Sequence, residues 1–263
     1  MIRGALMTLR SMGVRYVVKE TVRRLTGRPY VYNGVLVGDA VAFRLVRNLA
    51  SRGSVWRQGD KVVFRNGLGI FAAPRLDLFV VFLEDLEKMY GALEVKGRTV
   101  ADVGAYLGET AVFFAKRGAR YVYAYEPVFY EYAELNLWIN NVASVAEVRP
   151  YGLWHEEDVL AVEPVAVGTG LAPGGLKIKV RPLAEALKEV DVVKMDCEGC
   201  EYALLTTPCE VVRRAEEYVI EVHGPATPLV RKMEKCGYKS RLLEFRTPLL
   251  STWHLRLLTH GFG

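Results

Sequence analysis

At 263 residues with 51% hydrophobic side chains, the chain can hold one large α/β domain with an extension, or two small domains, around a substantial core. The net charge of +5 is concentrated: residues 1–28 carry Arg3, Arg10, Arg15, Lys19, Arg23, Arg24 and Arg28 against Glu20 alone, so the rest of the chain is close to neutral. No run of 18 or more apolar residues occurs, which excludes a membrane-spanning helix.

The amino terminus lacks the continuous apolar segment of a signal peptide, and the expected location is the cytoplasm. Gln58 is the only glutamine and asparagines number six, a shortage of labile amides beside many charged residues that suggests a hyperthermophilic source. From 14 to 25, Val14, Val17, Val18, Val22 and Leu25 follow a helical period with basic residues opposite. This predicts a basic amphipathic helix. Its apolar face packs on the domain with a solvated basic back, or the helix docks on an anionic surface, lipid or RNA.

Helix is expected around 39–49, and loops near Gly53 and Gly59. Residues 61–71 read as a β-hairpin, two apolar-rich runs around Asn66-Gly67, and 77–90 read as helical at least in their second half. Residues 1–95 thus form an N-terminal α+β extension, and 96–263 a second domain.

That domain begins with Asp102-Val-Gly104-Ala105-Tyr106-Leu-Gly108-Glu-Thr110, an apolar run ending in a glycine-containing turn that opens a helix. Gly118 stops the helix, and a second apolar run delivers Glu126-Pro127. This is one βαβ unit of a nucleoside site. A dinucleotide fingerprint wants a middle glycine two positions after the first, so that pyrophosphate can lie against the backbone; here Tyr106 stands there. Glu126 follows Gly104 by close to the roughly 20-residue interval at which an acidic residue meets ribose hydroxyls. The combination favours S-adenosylmethionine (SAM) over NAD.

A helix over 130–141 should cover the other sheet face, followed by short β-rich runs over 146–167, a glycine-proline loop at 170–175, a strand at 177–180 and helical turns at 183–187. Val192, Val193 and Met195 form a buried strand whose end carries Asp196, with Glu198 beyond it and Gly199 beginning the turn into a helix that carries Glu201. Tyr218-Val-Ile-Glu221-Val-His223 is a further strand; alternation puts Glu221 and His223 on one face at its carboxyl end. Ligands of open α/β sheets sit at carboxyl strand ends, so Asp196, Glu198, Glu221 and His223 should converge. The tail reads as a helix over 228–235 and two strands, 238–245 and 253–258, able to pair antiparallel around Pro248. Cys197 and Cys200, with Cys209 and Cys236, offer zinc or disulfide chemistry, but buried thiols are the expected state.

Asp102-Val-Gly-Ala-Tyr-Leu-Gly-Glu-Thr, Tyr125-Glu-Pro127, Lys194-Met-Asp-Cys-Glu-Gly-Cys-Glu201 and Glu221-Val-His-Gly224 resemble the successive motifs of the FkbM family of class I SAM-dependent methyltransferases, over about 96–240. The resemblance implies a Rossmann-like seven-stranded sheet, mostly parallel with its last strand antiparallel, and SAM as methyl donor. It also implies O-methylation of a sugar or natural-product hydroxyl. By position it places Gly104, Ala105 and Gly108, with Tyr106, Thr110 and Pro127 nearby, around the cofactor, Asp102 toward its amino group, Glu126 at its ribose and Asp196 beside the methyl group.

Methyl transfer to a hydroxyl needs alignment and a proton acceptor, and His223 is the leading base, with Glu221 raising its basicity. Asp196 and Glu198 complete the expected catalytic set. A divalent cation held by Asp196, Glu198 and His223 is the disfavoured alternative, and no metal is expected. Amine-directed enzymes present an Asn/Asp-Pro-Pro-aromatic element where this chain has Asp196-Cys-Glu-Gly, so base N-methylation is disfavoured. A small-molecule or glycan acceptor is expected, with an RNA methyltransferase or a non-catalytic SAM-binding protein as the competing readings.

Overall fold

The computed structural model describes residues 18, 21, 22, 25, 26, 30–32, 35–37, 40–165, 168–246 and 253–261. Two compact units divide between Leu83 and Glu84, so residues 84–95, expected in the extension, belong with the second unit. Of the amphipathic helix expected over 14–25, Val14 and Val17 lie outside the described residues. Val18, Val22 and Leu25 are helical and 55, 53 and 81% exposed, so at these positions the apolar stripe faces outward rather than packing on a domain.

In the first unit, β1 (Tyr30–Tyr32) pairs antiparallel with β2 (Val35–Val37), and α1 spans Ala40–Ala50. β3 (Ser54–Gln58), β4 (Lys61–Arg65) and β5 (Ile70–Ala73) form an antiparallel meander. The Asn66-Gly67 turn joins β4 to β5 as expected; Asn66 Oδ1 accepts the N–H groups of Leu68 and Gly69 at 3.0 and 3.2 Å, satisfying turn donors. β3 went unread because only Val55 of its five residues is buried, too little alternation to see. The helix expected over 77–90 is two pieces. Leu76–Leu83 is a 3₁₀ helix whose Phe79 and Phe82 pack on Phe64 and Phe71 with ring centroids 4.6–5.8 Å apart. Asp85 then starts α2 (Leu86–Tyr90) by accepting the N–H of Lys88 at 3.2 Å.

The second unit continues with β6 (Thr99–Val103), α3 (Glu109–Lys116), β7 (Tyr121–Tyr125), α4 (Tyr130–Ile139) and β8 (Ala146–Arg149). β9 (Gly152–Trp154), β10 (Asp158–Val165), β11 (Gly168–Leu171) and β12 (Leu176–Pro182) make a separate four-stranded sheet. Next come α5 (Leu183–Ala186), β13 (Val192–Met195), a 3₁₀ helix (Cys200–Leu205), α6 (Cys209–Val212), β14 (Glu217–Val222), α7 (Ala226–Lys235), β15 (Tyr238–Arg246) and β16 (Trp253–Gly261). No helix among the described residues is long and apolar enough to cross a membrane.

The main sheet has the order β15-β16-β14-β13-β6-β7-β8. β14, β13, β6, β7 and β8 are parallel, and β16 runs antiparallel between β14 and β15. This is the seven-stranded sheet, last strand reversed, that the sequence predicts. β6 and β13 are buried at every residue, which is why they read as unbroken runs rather than alternating ones. Each fully buried Val or Leu contributes roughly 1.5–3 kcal/mol. The chain moves from β6 outward to β7 and β8, then returns to β13 on the other side of β6. Strand order therefore reverses between β6 and β13, where such sheets hold ligands.

All four cysteines are paired, correcting the expected buried thiols: Cys197 with Cys200 (Cα atoms 5.4 Å apart) and Cys209 with Cys236 (5.0 Å). The fold brings both pairs within the separation a disulfide requires.

Candidate active site

The turn after β6 lies at the point of reversal. Gly104 has φ +77°, and a Cβ there would collide with the backbone carbonyl of Asp196, so only glycine lets the turn close on the end of β13. Tyr106 also holds a left-handed backbone (φ 51°), unusual for a bulky residue. Its N–H donates to Glu126 Oε2 at 3.0 Å, and its ring meets Phe129 edge-on at 5.2 Å.

Glu126, nearly buried, holds the turn together. Its Oε1 accepts from the N–H groups of Val128 (2.6 Å) and Phe129 (2.9 Å). Burial pushes the carboxyl's pKa up, and those three backbone donors pull against it. A carboxylate can accept about four hydrogen bonds, and three of Glu126's are to backbone N–H groups of the turn. Pro127 follows, half-buried against the β9 end.

Asp102 stands at the end of β6, behind the turn. It is fully buried, with Oδ1 3.0 Å from Lys194 Nζ and Oδ2 accepting the Thr110 hydroxyl at 2.6 Å. Thr110 and Ala105 are buried with it, and Gly108 (φ +80°) opens α3. Lys194 Nζ also donates to Gly104 O at 2.6 Å. Burial alone would depress the lysine, but Asp102, Asp196 and Glu109 outweigh it and hold its pKa above the ordinary value. A buried charge persists only when paired in this way. Glu109, with no partner at Oε2, is pushed up to about 8 by burial, against the pull of Lys194.

At the ends of β13 and β14, four carboxylates surround one imidazole. From His223 Nε2, Glu198 Oε2 is 3.6 Å away, Asp196 Oδ1 3.7 Å and Glu221 Oε1 3.8 Å. Glu201 Oε1 lies 3.3 Å from Nδ1 on the other side. Burial opposes charging of His223, but the contact with Glu201 and the charges of Asp196 and Glu198 prevail and raise it to about 9. Glu198 is raised to about 7, by burial first and then by Asp196, Glu221 and Glu201, with His223 opposing. Glu198 is itself in a left-handed backbone conformation (φ 56°). The four residues expected to converge do so.

Glu201, unassigned in the sequence reading, is fully buried and accepts the N–H groups of Gly199 (2.8 Å) and His223 (2.9 Å), binding the turn after β13 to the end of β14. Its signal was the spacing Asp-x-Glu-Gly-x-Glu. Tyr90 gave no signal; its hydroxyl donates to Asp196 Oδ2 at 3.0 Å. One donor atom each of Asp196, Glu221 and His223 lies within 4.8 Å of the others, a spacing that admits a cation.

Residues 102–240 match the family described as the methyltransferase FkbM domain. The chain is 25% identical over 151 residues to "Uncharacterized protein 65" of Sulfolobus islandicus filamentous virus (isolate Iceland/Hveragerdi), covering 55% of this chain and 73% of the viral one. Among solved structures it is similar to a protein of the NADB-Rossmann superfamily from Streptococcus agalactiae (16% identity, 68% of each chain, TM-score 0.45). It is also similar to the B. subtilis M1A22 tRNA methyltransferase TrmK (14% identity, 67% of this chain and 65% of that one, TM-score 0.44). The family match takes in more than half of the chain and contains both the turn after β6 and the strand ends that carry Asp196 and His223. The chain belongs to the FkbM methyltransferase domain family and is an S-adenosylmethionine-dependent methyltransferase.

Proposed function

We propose that the enzyme methylates a hydroxyl oxygen of a sugar, lipid or other small-molecule acceptor. The carrying observation is the set of carboxylates of Asp196, Glu198 and Glu221 within 4 Å of His223 Nε2, at the strand ends where the sheet order reverses. SAM supplies a methyl group made electrophilic by its sulfonium.

Gly104 and Tyr106 would cradle the cofactor, Glu126 would hold a ribose hydroxyl, and Asp196 would face the methyl group. His223 takes the acceptor's proton at Nε2 and so frees the oxygen as a nucleophile for the methyl group that the cofactor would supply. The surrounding carboxylates stabilise the imidazolium that forms. That environment keeps the resting imidazole protonated at neutral pH, so His223 serves as a base only after losing its proton near pH 9. The same negative groups repel a phosphate backbone, which supports an uncharged or cationic acceptor over RNA.

Labelled SAM incubated with the protein and with RNA, lipid and glycan fractions tests this reading. Label in a lipid or glycan fraction is expected. Label confined to RNA, or folded protein that binds no SAM in calorimetry, overturns it.

A further inference from the structure

The hydroxyl of Tyr90 lies in a segment with no methyltransferase motif, 12 residues before the family match begins. The side chain is almost wholly enclosed, and its hydroxyl donates a 3.0 Å hydrogen bond to Asp196 Oδ2, across 106 residues of sequence. Its ring stands edge-on to Phe114 of α3, centroids 6.0 Å apart, and Lys194 Nζ lies 5.8 Å from the ring centroid. The short helix that carries it is clamped to α3. Arg117 Nη1 reaches both oxygens of Glu87 at 2.6 and 2.8 Å, and its Nη2 donates to Gly91 O at 3.0 Å. Asp85 caps the start of α2, so the helix is held at both ends around Tyr90.

We infer that Tyr90 is a positioning residue: its hydroxyl pins one oxygen of Asp196 and so aims the other toward the transferring methyl group. This rests on the reading that Asp196 stands beside that methyl. Asp196 needs such a restraint because His223 Nε2, 3.7 Å from Oδ1, draws the carboxylate toward itself. The phenol holds the other oxygen, Oδ2, and a hydrogen bond to a charged group is worth more than one between neutral groups. Each carboxylate oxygen thereby has its own restraint at the end of β13, whose backbone carbonyl at Asp196 lies against the turn at Gly104.

The test needs no acceptor. Affinities for SAM, which carries the sulfonium charge and the methyl, and for S-adenosylhomocysteine, which carries neither, are measured by calorimetry on the full chain. Tyr90→Phe keeps the ring against Phe114 and removes only the hydroxyl. The ratio of SAM to S-adenosylhomocysteine affinity is expected to fall about five- to tenfold, the scale of one hydrogen bond. A merely structural role lowers both affinities together and leaves the ratio alone.

Asp196→Asn is the companion variant. If it collapses the ratio and Tyr90→Phe does not, the role given to Tyr90 is overturned. If neither variant moves the ratio, Asp196 is not beside the methyl group, and the positioning role falls with it. A melting temperature for Tyr90→Phe equal to the parent's shows that the affinities refer to an intact fold.

Discussion

At the ends of β6 and β7, Glu126 spreads its charge over three backbone N–H donors, whereas at the ends of β13 and β14 several carboxylates face one another across a single imidazole. The first arrangement is settled: each partner is part of the backbone and cannot swing away. The second stores electrostatic tension among its buried carboxylates, seen in Glu198 at about 7, while their attraction raises His223 to about 9. Preorganised backbone donors suit the nucleoside-binding role proposed for the first half. Groups with displaced proton affinities suit a half that must move a proton.

The largest effect should come from the strained half. His223→Ala is expected to lower methyl transfer by about 10²- to 10⁴-fold, the range for losing a general base, with SAM affinity within about threefold of the parent. Labelled-methyl turnover and calorimetry on one preparation separate the two, and a loss of SAM affinity as large as the loss of turnover would erase the distinction between halves.

The pH dependence comes next. With His223 as base, turnover should climb about tenfold per pH unit from pH 7 and level off near 9. A profile already flat above pH 7 would instead assign the proton to Glu198.

In the settled half, Glu126→Ala deprives Tyr106, Val128 and Phe129 of an acceptor, and also the ribose hydroxyl proposed to bind there. SAM binding should weaken by about 10- to 100-fold, the roughly 1.5–3 kcal/mol of one hydrogen bond to a charged group, while the orphaned backbone donors lower stability. Full-strength binding by this variant would place the ribose elsewhere.

The smallest effect concerns stability. Glu109 (to about 8), Glu198 (to about 7) and His223 (to about 9) all have folded pKa values above their ordinary ones of 4.5, 4.5 and 6.5. Between those limits the folded chain binds more protons than the unfolded one, so this contribution is complete at low pH and is lost as pH rises through 7 to 9. Melting temperature should therefore decline from pH 5 to pH 9. Glu109→Gln, which removes one titrating group at a buried position, should flatten the decline by about 2–4 °C for each kcal/mol involved.

What could be read in the chain was local. The turn from Asp102 to Thr110, the strand ends at Asp196 and His223, and the order of the sheet all rest on runs of a few residues with their own periodicity. The three-dimensional partnerships were silent. Tyr90 looks like any apolar residue at the end of a short helix, and its hydroxyl finds Asp196 only after the fold has formed. The burial of Asp102 was hidden because the sequence places it at the turn but cannot show Lys194 and Thr110 closing over its two oxygens. The disulfide between Cys209 and Cys236 likewise depends on α6 and the end of α7 meeting. β3 escaped because a strand with one buried residue leaves almost no pattern.

Glu201 grips the backbone of Gly199 on one loop and of His223 on another. An engineer wishing to alter acceptor choice by exchanging the segment after β13 would also be exchanging the anchor of the segment after β14. The two loops therefore form one transplantable cassette, to be moved together with Glu201 or left together, and a chimera that divides them would inherit a buried carboxylate with half of its partners missing.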